Sequence, residues 1–348
     1  MSFQVTVKPS NHQFPANPDQ SVLDAALAAG IVLPYSCKSG ACSTCKGKVV
    51  SGQYDAGESP AQVLSAEEME QGFTLLCQAH AKSDLVIESA EVRLASDIQI
   101  RKLPSRVIGM EQMAPDVMKL KLQLPATETF RFYAGQYVEI LLKDGRRRSY
   151  SMANAPHDAA TLELHLRHMP GGLFTDHVFG TGATQMKERE ILRLEGPFGS
   201  FFLREDSELP IIMLASGTGF APIKAIVEHM IEQQIHRPVT LYWGGRRPRD
   251  LYMMDLAQSW VQALPGFKFV PVVSDALPED QWAGRTGLVH QAVMQDVSDM
   301  SGHQVYACGA PIVVESARRD FSSMCGLPAE AFFADSFVSA ADSAAKPA

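Results

Sequence analysis

Four of the six cysteines in this 348-residue chain crowd into its first quarter: Cys37, Cys42, Cys45 and Cys77. The first three stand in Cys37-Lys38-Ser39-Gly40-Ala41-Cys42-Ser43-Thr44-Cys45, a C-x4-C-x2-C run. No other feature constrains the fold as tightly. A disulfide framework would spread its cysteines along the chain, whereas a local cluster reads as a metal site. The start Met1-Ser2-Phe3-Gln4-Val5 has neither a basic nor an apolar leader region, so a cytoplasmic location is expected. The residues between the cysteines are small: Ser39, Gly40, Ala41, Ser43 and Thr44. They let a backbone wrap close enough for its N–H groups to reach a metal centre, and Gly40 can take a positive φ.

A zinc site is the simpler alternative. Zinc ribbons favour paired C-x2-C knuckles, and only Cys42 and Cys45 have that spacing. The full pattern resembles that of plant-type ferredoxins, which implies a [2Fe–2S] cluster held by Cys37, Cys42, Cys45 and Cys77. Lys38, Lys46 and Lys48 surround this loop and form a candidate docking ring. Of the remaining cysteines, Cys325 precedes Gly326 near a helix end and reads as a buried filler. Cys308 ends a strand before Gly309, where open α/β sheets meet their ligands.

Charge divides the chain. Residues 1–92 hold no Arg, five Lys and ten Asp plus Glu, out of a whole-chain net charge of −8. That sets off an acidic module. The overall negative balance argues against a general nucleic-acid binder, and no run of about 18 apolar residues exists to span a membrane. Residues 93–103 read as a linker, 104–205 as a domain of many short strands, and 206–338 as alternating strands and helices; 339–348 read as a disordered tail. The expected fold is therefore multidomain. It comprises a β-grasp-like α+β ferredoxin, an antiparallel β-barrel, and an α/β parallel-sheet domain; the resemblances given below imply FAD for the second and NAD for the third. Within the first module, Ser65-Ala66-Glu67-Glu68 is a capping-box signal for a helix.

The barrel segment carries Arg146-Arg147-Arg148-Ser149-Tyr150-Ser151-Met152. Further on come His165-Leu166-Arg167-His168-Met169-Pro170-Gly171-Gly172-Leu173-Phe174-Thr175. Arg148, Tyr150 and Ser151 fit R-x-Y-S, and the chain resembles the ferredoxin–NADP reductase-like superfamily. The resemblance implies FAD, with Arg148 on the pyrophosphate, Tyr150 packed on the isoalloxazine and Ser151 near the reactive nitrogen. A guanidinium fork suits phosphate and an aromatic face suits a flat ring. Arg167, Gly171, Gly172, Leu173 and Thr175 resemble the second flavin-phosphate loop, opening a helix whose N-terminus suits an anion. Gly135-Gln136-Tyr137 resembles a supporting strand of the family. His165 and His168 are expected as exposed strand residues.

The third segment opens with Ser216-Gly217-Thr218-Gly219-Phe220-Ala221-Pro222 between an apolar strand and a helix. Glycines let a backbone approach a pyrophosphate, and Pro222 suits a first helical turn. The same superfamily has a G-x-G-x-x-P nucleotide motif here. It also implies nicotinamide-nucleotide roles for Gly217, Thr218, Gly219, Pro222, Gly244 and Arg246. Cys308 and Gly309, within Cys308-Gly309-Ala310-Pro311, resemble its loop beside the nicotinamide, with Ser151 and Cys308 as catalytic residues. Ser274-Asp275 follows the third strand, where an acid would repel a 2′-phosphate, so NADH is favoured over NADPH despite Arg246, Arg247 and Arg249. Near the end, Phe332, Phe333 and Phe337 flank Asp335, one of which the family places over the flavin.

The module order resembles reductases of bacterial multicomponent oxygenases and the CDP-6-deoxy-Δ3,4-glucoseen reductase type, the latter more closely. It implies an oxidoreductase passing electrons from NADH through FAD to [2Fe–2S] and then singly to a redox partner protein, a deoxysugar dehydrase or an oxygenase. A redox-sensing module is the third reading.

Overall fold

The computed structural model describes residues 2–337 apart from 62, 90, 95–97 and 159. The expected tail therefore lies outside the described residues, as does the middle of the expected linker.

The N-terminal module is a mixed five-stranded sheet. Its elements are β1 (Phe3–Lys8), β2 (His12–Ala16), α1 (Val22–Ala28), β3 (Lys46–Ser51), α2 (Ala66–Glu70), β4 (Phe73–Leu75) and β5 (Leu85–Glu88). The order is β2-β1-β5-β3-β4, with β1 and β5 parallel and the other pairs antiparallel. Alternation buries Val5 and Val7 of β1 against Leu23 and Ala26 of α1. Ser21 caps α1, accepting from the Asp24 N–H at 3.1 Å. The capping box before α2 is formed from both sides, Glu68 N–H to Ser65 Oγ and Ser65 N–H to Glu68 Oε2.

The central domain holds β6 (Arg101–Ala114), β7 (Val117–Gln123), β8 (Tyr137–Leu141), β9 (Arg147–Ser151), β10 (Thr161–Arg167), α3 (Leu173–Phe179) and β11 (Ile191–Phe198). All pairs are antiparallel, in the order β9-β8-β11-β6-β7-β10. A barrel is expected from the strand spacing. What is observed is a six-stranded sheet whose two edge strands meet at one isolated bridge, Met152 to Leu164. The linker expected over 93–103 is strand at both ends. Arg93–Leu94 pair with Ile31–Val32, and β6 already runs from Arg101.

The C-terminal domain is wholly parallel. It comprises β12 (Ile211–Ser216), α4 (Phe220–Glu232), β13 (Val239–Gly245), α5 (Met254–Ala263), β14 (Phe267–Val273), β15 (Arg285–Thr286), α6 (Val289–Asp296), β16 (Gln304–Gly309), α7 (Pro311–Cys325) and β17 (Phe332–Ser336). The order β15-β14-β13-β12-β16-β17 reverses direction between β12 and β16. Ligands of such sheets bind at that switch point, outside the carboxyl ends of the strands. Cys325 is buried, and Gly326 closes α7 with φ 69°.

The domains share cores. Tyr137 and Phe198 of the central sheet belong to the N-terminal hydrophobic cluster, and Ala134, Phe201 and Leu203 to the C-terminal one. Polar ties follow the same seams. Gly199 N–H donates to Tyr35 Oη at 2.8 Å, Tyr35 N–H to Ser200 Oγ at 2.9 Å, and Arg204 pairs with Glu91 at 2.6 Å.

Candidate functional site

The cysteine loop brings its thiols together as two pairs. Cys42 hydrogen-bonds the Cys37 sulfur and holds Cys37 down at about 5, while Cys42 itself is pushed up. Cys45 stands in the same relation to Cys77, lowering it and being raised in return. Backbone N–H groups of Ser39 and Ala41 point at Cys37, that of Gly40 at Cys77 and that of Thr44 at Cys42. Gly40 makes the wrap possible: its φ is +77°, and a Cβ there would meet the Gln78 side chain at 3.0 Å. Among the described residues no three His, Cys, Asp or Glu side chains converge on one ion's position, as a mononuclear zinc site would need. Two thiol pairs inside a shell of N–H donors fit two irons instead. Of the candidate docking lysines, Lys38 lies over Tyr35 and Phe198 and faces Asp24 at 3.7 Å, and Lys46 pairs with Glu68 at 2.6 Å. Both have partners within the chain.

Beside this loop, β9 presents Arg148, Tyr150 and Ser151. Arg146 is paired with Asp144, and Arg147 with Glu139 and Glu195, each at 2.7 Å. Arg148 forms no ion pair among the described residues; its Nη1 donates to the Arg147 carbonyl at 2.8 Å. Tyr150 packs against Phe174 at 5.6 Å, and burial raises its hydroxyl pKa. At the start of α3, Gly171 N–H donates to Asp176 and Gly172 N–H to the Met169 carbonyl. Thr175 Oγ1 donates to Met169 O at 2.9 Å, which pins the turn on which Leu173 is exposed. Arg167, at the end of β10, faces Asp116 at 3.1 Å and lies against Gly217 of the next domain.

The expected exposure of the two histidines is overturned. His165 is buried, with Nε2 3.0 Å from Glu163 and Nδ1 2.8 Å from Tyr252 Oη. Lys224 of α4 completes the group, 3.2 Å from Glu163 and 2.9 Å from Glu228. Burial drives the His165 pKa down and so favours the neutral ring. His168 stacks on Phe179 and meets Asp176 at 2.9 Å. His165 faces inward because β10 packs both its faces, one of them against the nucleotide domain, whereas His168 lies just past the end of β10 and is part-buried.

At the switch point, Gly217–Gly219 form a short 3-10 turn between β12 and α4, with Pro222 in the first turn of α4. A Cβ on Gly219 would sit 2.2 Å from the Cys308 carbonyl, so only glycine allows the two loops to touch. Trp243 stacks on Phe220 at 3.8 Å and donates to Gly217 O at 3.0 Å, fixing the turn from beneath. Thr218 and Gly244 are buried here; a Cβ on Gly244 would meet Val289 at 2.8 Å. Arg247 is held by Asp280 at 2.7 Å, whereas Arg246 is exposed beside Asp275, whose N–H donates to the Arg246 carbonyl.

Asp335 joins these regions. It lies beside Cys308 in the β16–β17 ladder, and Gly309 follows. Its carboxylate accepts from Ser151 Oγ at 2.9 Å and from Ser36 Oγ, next to Cys37, at 2.6 Å. Burial pushes its pKa up, and the two serine bonds oppose this in part. Burial also pushes the Cys308 thiol up, so that thiol stays protonated. The flanking phenylalanines marked Asp335 in the sequence, but nothing there paired it with Ser36.

Comparison with known proteins agrees with this arrangement. Residues 5–82 match the 2Fe-2S iron-sulfur cluster binding domain, 104–203 the oxidoreductase FAD-binding domain and 213–319 the oxidoreductase NAD-binding domain. A CDP-6-deoxy-L-threo-D-glycero-4-hexulose-3-dehydrase reductase from Yersinia pestis is 40% identical over 97% of this chain and 99% of its own. The chain belongs to the FAD- and NAD-binding reductases with an N-terminal 2Fe-2S ferredoxin domain. A terephthalate 1,2-dioxygenase reductase component from Comamonas is 39% identical over 97% and 98% of the two chains. The crystal structure of an Amycolatopsis cytochrome P450 reductase superposes with a TM-score of 0.75 at 34% identity, covering 96% of this chain and 98% of that one. This reductase is thus an electron-transfer oxidoreductase built for NAD(H), FAD and a [2Fe–2S] cluster. No described helix is long and apolar enough to cross a membrane.

Proposed function

We propose that this chain is the reductase of a two-component system, drawing on NADH and delivering electrons one at a time to a deoxysugar dehydrase of the CDP-6-deoxy-hexulose type. The observation that carries the electron path is the shared carboxylate of Asp335, which links Ser151 on the flavin side to Ser36 beside the cysteine loop. When bound, FAD takes a two-electron hydride from the nicotinamide and the cluster carries single electrons onward.

The chain's own residues supply binding and orientation. Cys37, Cys42, Cys45 and Cys77 hold the irons. Arg148 and Arg167 meet the flavin diphosphate, with Gly171, Gly172, Leu173 and Thr175 shaping the helix start that receives it. Tyr150 offers its ring face to the isoalloxazine. Ser151, held by Asp335, presents its hydroxyl at the reactive edge of the flavin. Gly217, Thr218, Gly219 and Pro222 form the floor for the nucleotide diphosphate, with Gly244 and Arg246 toward the adenosine end. Cys308 and Gly309 border the nicotinamide, where a neutral thiol packs without competing as a charge. Asp275 disfavours a 2′-phosphate, which supports NADH.

The acceptor rests on the 40% identity to the dehydrase reductase. A second reading, an oxygenase acceptor, draws on the terephthalate dioxygenase reductase components at 39% and 38% over the same span. The experiment is anaerobic reduction by NADH followed by stopped-flow mixing with a purified CDP-6-deoxy-hexulose dehydrase or a dioxygenase component. Rapid reoxidation by the dehydrase alone supports the first reading. Reoxidation by the oxygenase component alone replaces it with the second. A cytoplasmic setting belongs to the same proposal, since reduced NADH and thiolate ligands are sustained there.

A further inference from the structure

The N-terminal end of α7 adjoins the Cys308–Pro311 loop, but its next turn reaches the cysteine loop. The single O–H of Ser43 is shared between the two carboxylate oxygens of Glu315, at 2.7 and 2.8 Å, and Ser43 lies between Cys42 and Cys45. One turn on, Arg318 stands 3.7 Å from Glu315, with its guanidinium 4.5 Å over the Phe332 ring. Two of its nitrogens, Nε and Nη2, are out of contact with solvent and have no hydrogen-bond partner. The side chain as a whole is part-buried, but shielded donors without a partner are costly, and native structures rarely leave them without a use. Burial pushes the Arg318 pKa down, while Glu315 and the Cys42 sulfur, both close by, pull it back up. Through Glu315, which Ser43 holds, a cation with spare N–H groups is thus set beside the loop that carries Cys42 and Cys45.

We propose that Arg318 and Glu315 are a charge pair, contributed by the nucleotide domain, that sets the reduction potential of the cluster held by the ferredoxin domain. The inference rests on the reading that the four cysteines hold that cluster. Reduction adds one negative charge to a site of low dielectric. A cation and N–H donors nearby favour the reduced state, and a carboxylate disfavours it. Net charge and hydrogen bonding around the sulfurs are established levers on such potentials. Glu315 has a second task, since its bonds to Ser43 hold the loop at the distance where Arg318 acts. Both are positioning and tuning residues, and neither need touch the electron path.

The test is an anaerobic redox titration of the full-length holoprotein, following the reduced cluster by electron paramagnetic resonance and FAD by absorbance. R318Q is expected to shift the cluster equilibrium against reduction by about tenfold, which is ~59 mV for one electron. E315Q keeps an oxygen to accept from Ser43 but loses the charge, so it is expected to shift the equilibrium the other way. R318K should stay near the wild type. The FAD titration should be unchanged in all three. An R318Q potential equal to the wild type, or R318Q and E315Q shifts of the same sign, overturns the proposal. If R318Q does not retain its cluster, the sign of the E315Q shift decides alone: a rise supports it, and no change or a fall overturns it. Iron content and the visible spectrum of the wild type are read separately. A wild type without two irons per chain would sink the reading of the cysteines and this proposal with it, whereas a cluster whose potential R318Q and E315Q leave unmoved sinks this proposal alone.

Discussion

Ser36 donates a 2.6 Å hydrogen bond to Asp335, 299 residues further along the chain. The pair spans the first and last domains, and the remaining Asp335 oxygen takes up Ser151 of the middle one. Ser36 is fixed on its other side as well. Its Oγ accepts from the Ser336 N–H at 3.2 Å, and its carbonyl accepts from Tyr137 Oη at 3.1 Å. One buried carboxyl thus holds the residue before the first cysteine in register with the serine expected beside the flavin.

Removing that carboxyl should uncouple the two redox centres before it disturbs either one. D335A leaves two buried hydroxyls without an acceptor, a cost of about 1–3 kcal/mol each where water cannot enter. The expected result is a lower unfolding temperature. Cytochrome c reduction, which draws on the cluster, should fall at least tenfold, with a smaller loss of NADH-to-ferricyanide activity. Equal losses in both assays would show that Asp335 serves the fold alone. Because burial raises the Asp335 pKa, its contribution to stability is full below the ordinary carboxyl value and is lost as pH rises through its raised value. D335N, permanently neutral, should lack that loss.

The cysteine ligands should separate the same two activities more sharply. C42S removes one of four thiols and leaves β9 and the nucleotide loops untouched. Ferricyanide reduction by NADH should persist within about twofold, whereas cytochrome c reduction should vanish along with the visible absorption of the cluster. Loss of FAD from purified C42S would contradict this division of labour.

The sequence made the local devices legible and left the long-range ones hidden. The cysteine spacing, the capping box at Ser65 and the glycine turn at Gly217–Gly219 are each written within ten residues, because sterics and hydrogen bonding act there over one loop or one turn. The parallel sheet was readable from alternation of apolar runs with helical stretches. Closure of the central strands into a barrel was expected from their spacing, but the sheet shows a single isolated bridge between its edges, because closure depends on edge strands whose partners are set by twist and packing. His165 looked exposed because a strand residue's surroundings depend on what packs on its face, and α4 with its Lys224 comes from another domain. Asp335 was marked by its flanking phenylalanines, but its partners Ser36 and Ser151, and the Ser43 partner of Glu315, were opaque for the same reason: they lie in other domains, far away in sequence.

Nucleotide choice turns on Asp275. Its N–H is bonded to the Arg246 carbonyl, which places this acid beside the exposed Arg246. A carboxylate at that point repels a doubly charged 2′-phosphate, and removing it leaves Arg246 to attract one. D275N should raise kcat/KM for NADPH relative to NADH by about tenfold, or ~1.4 kcal/mol. Steady-state kinetics with both nucleotides tests this, and an unchanged ratio would move the discrimination elsewhere.

The seam between the central and nucleotide domains should be sensitive to acid. Burial pushes Glu163 up, but the His165 bond and the Lys224 charge more than offset it and hold Glu163 at about 2. Its folded pKa lies below the ordinary 4.5, so its stabilising contribution is full above that value and is lost as pH falls toward 2. His165 adds to the trend: burial lowers its pKa below 6.5, so the neutral ring's contribution is also lost as pH falls. E163Q removes the charge that answers Lys224 and weakens the acceptor for the neutral His165 ring. Breaking one side of a buried pair costs on the order of 3 kcal/mol near neutrality. The stability gap between wild type and E163Q should therefore be widest at pH 7 and should close as the pH is lowered from 4.5 toward about 2. Denaturant unfolding of both proteins at several pH values measures it. A gap that stays constant with pH would mean that Glu163 is held by shape and not by charge.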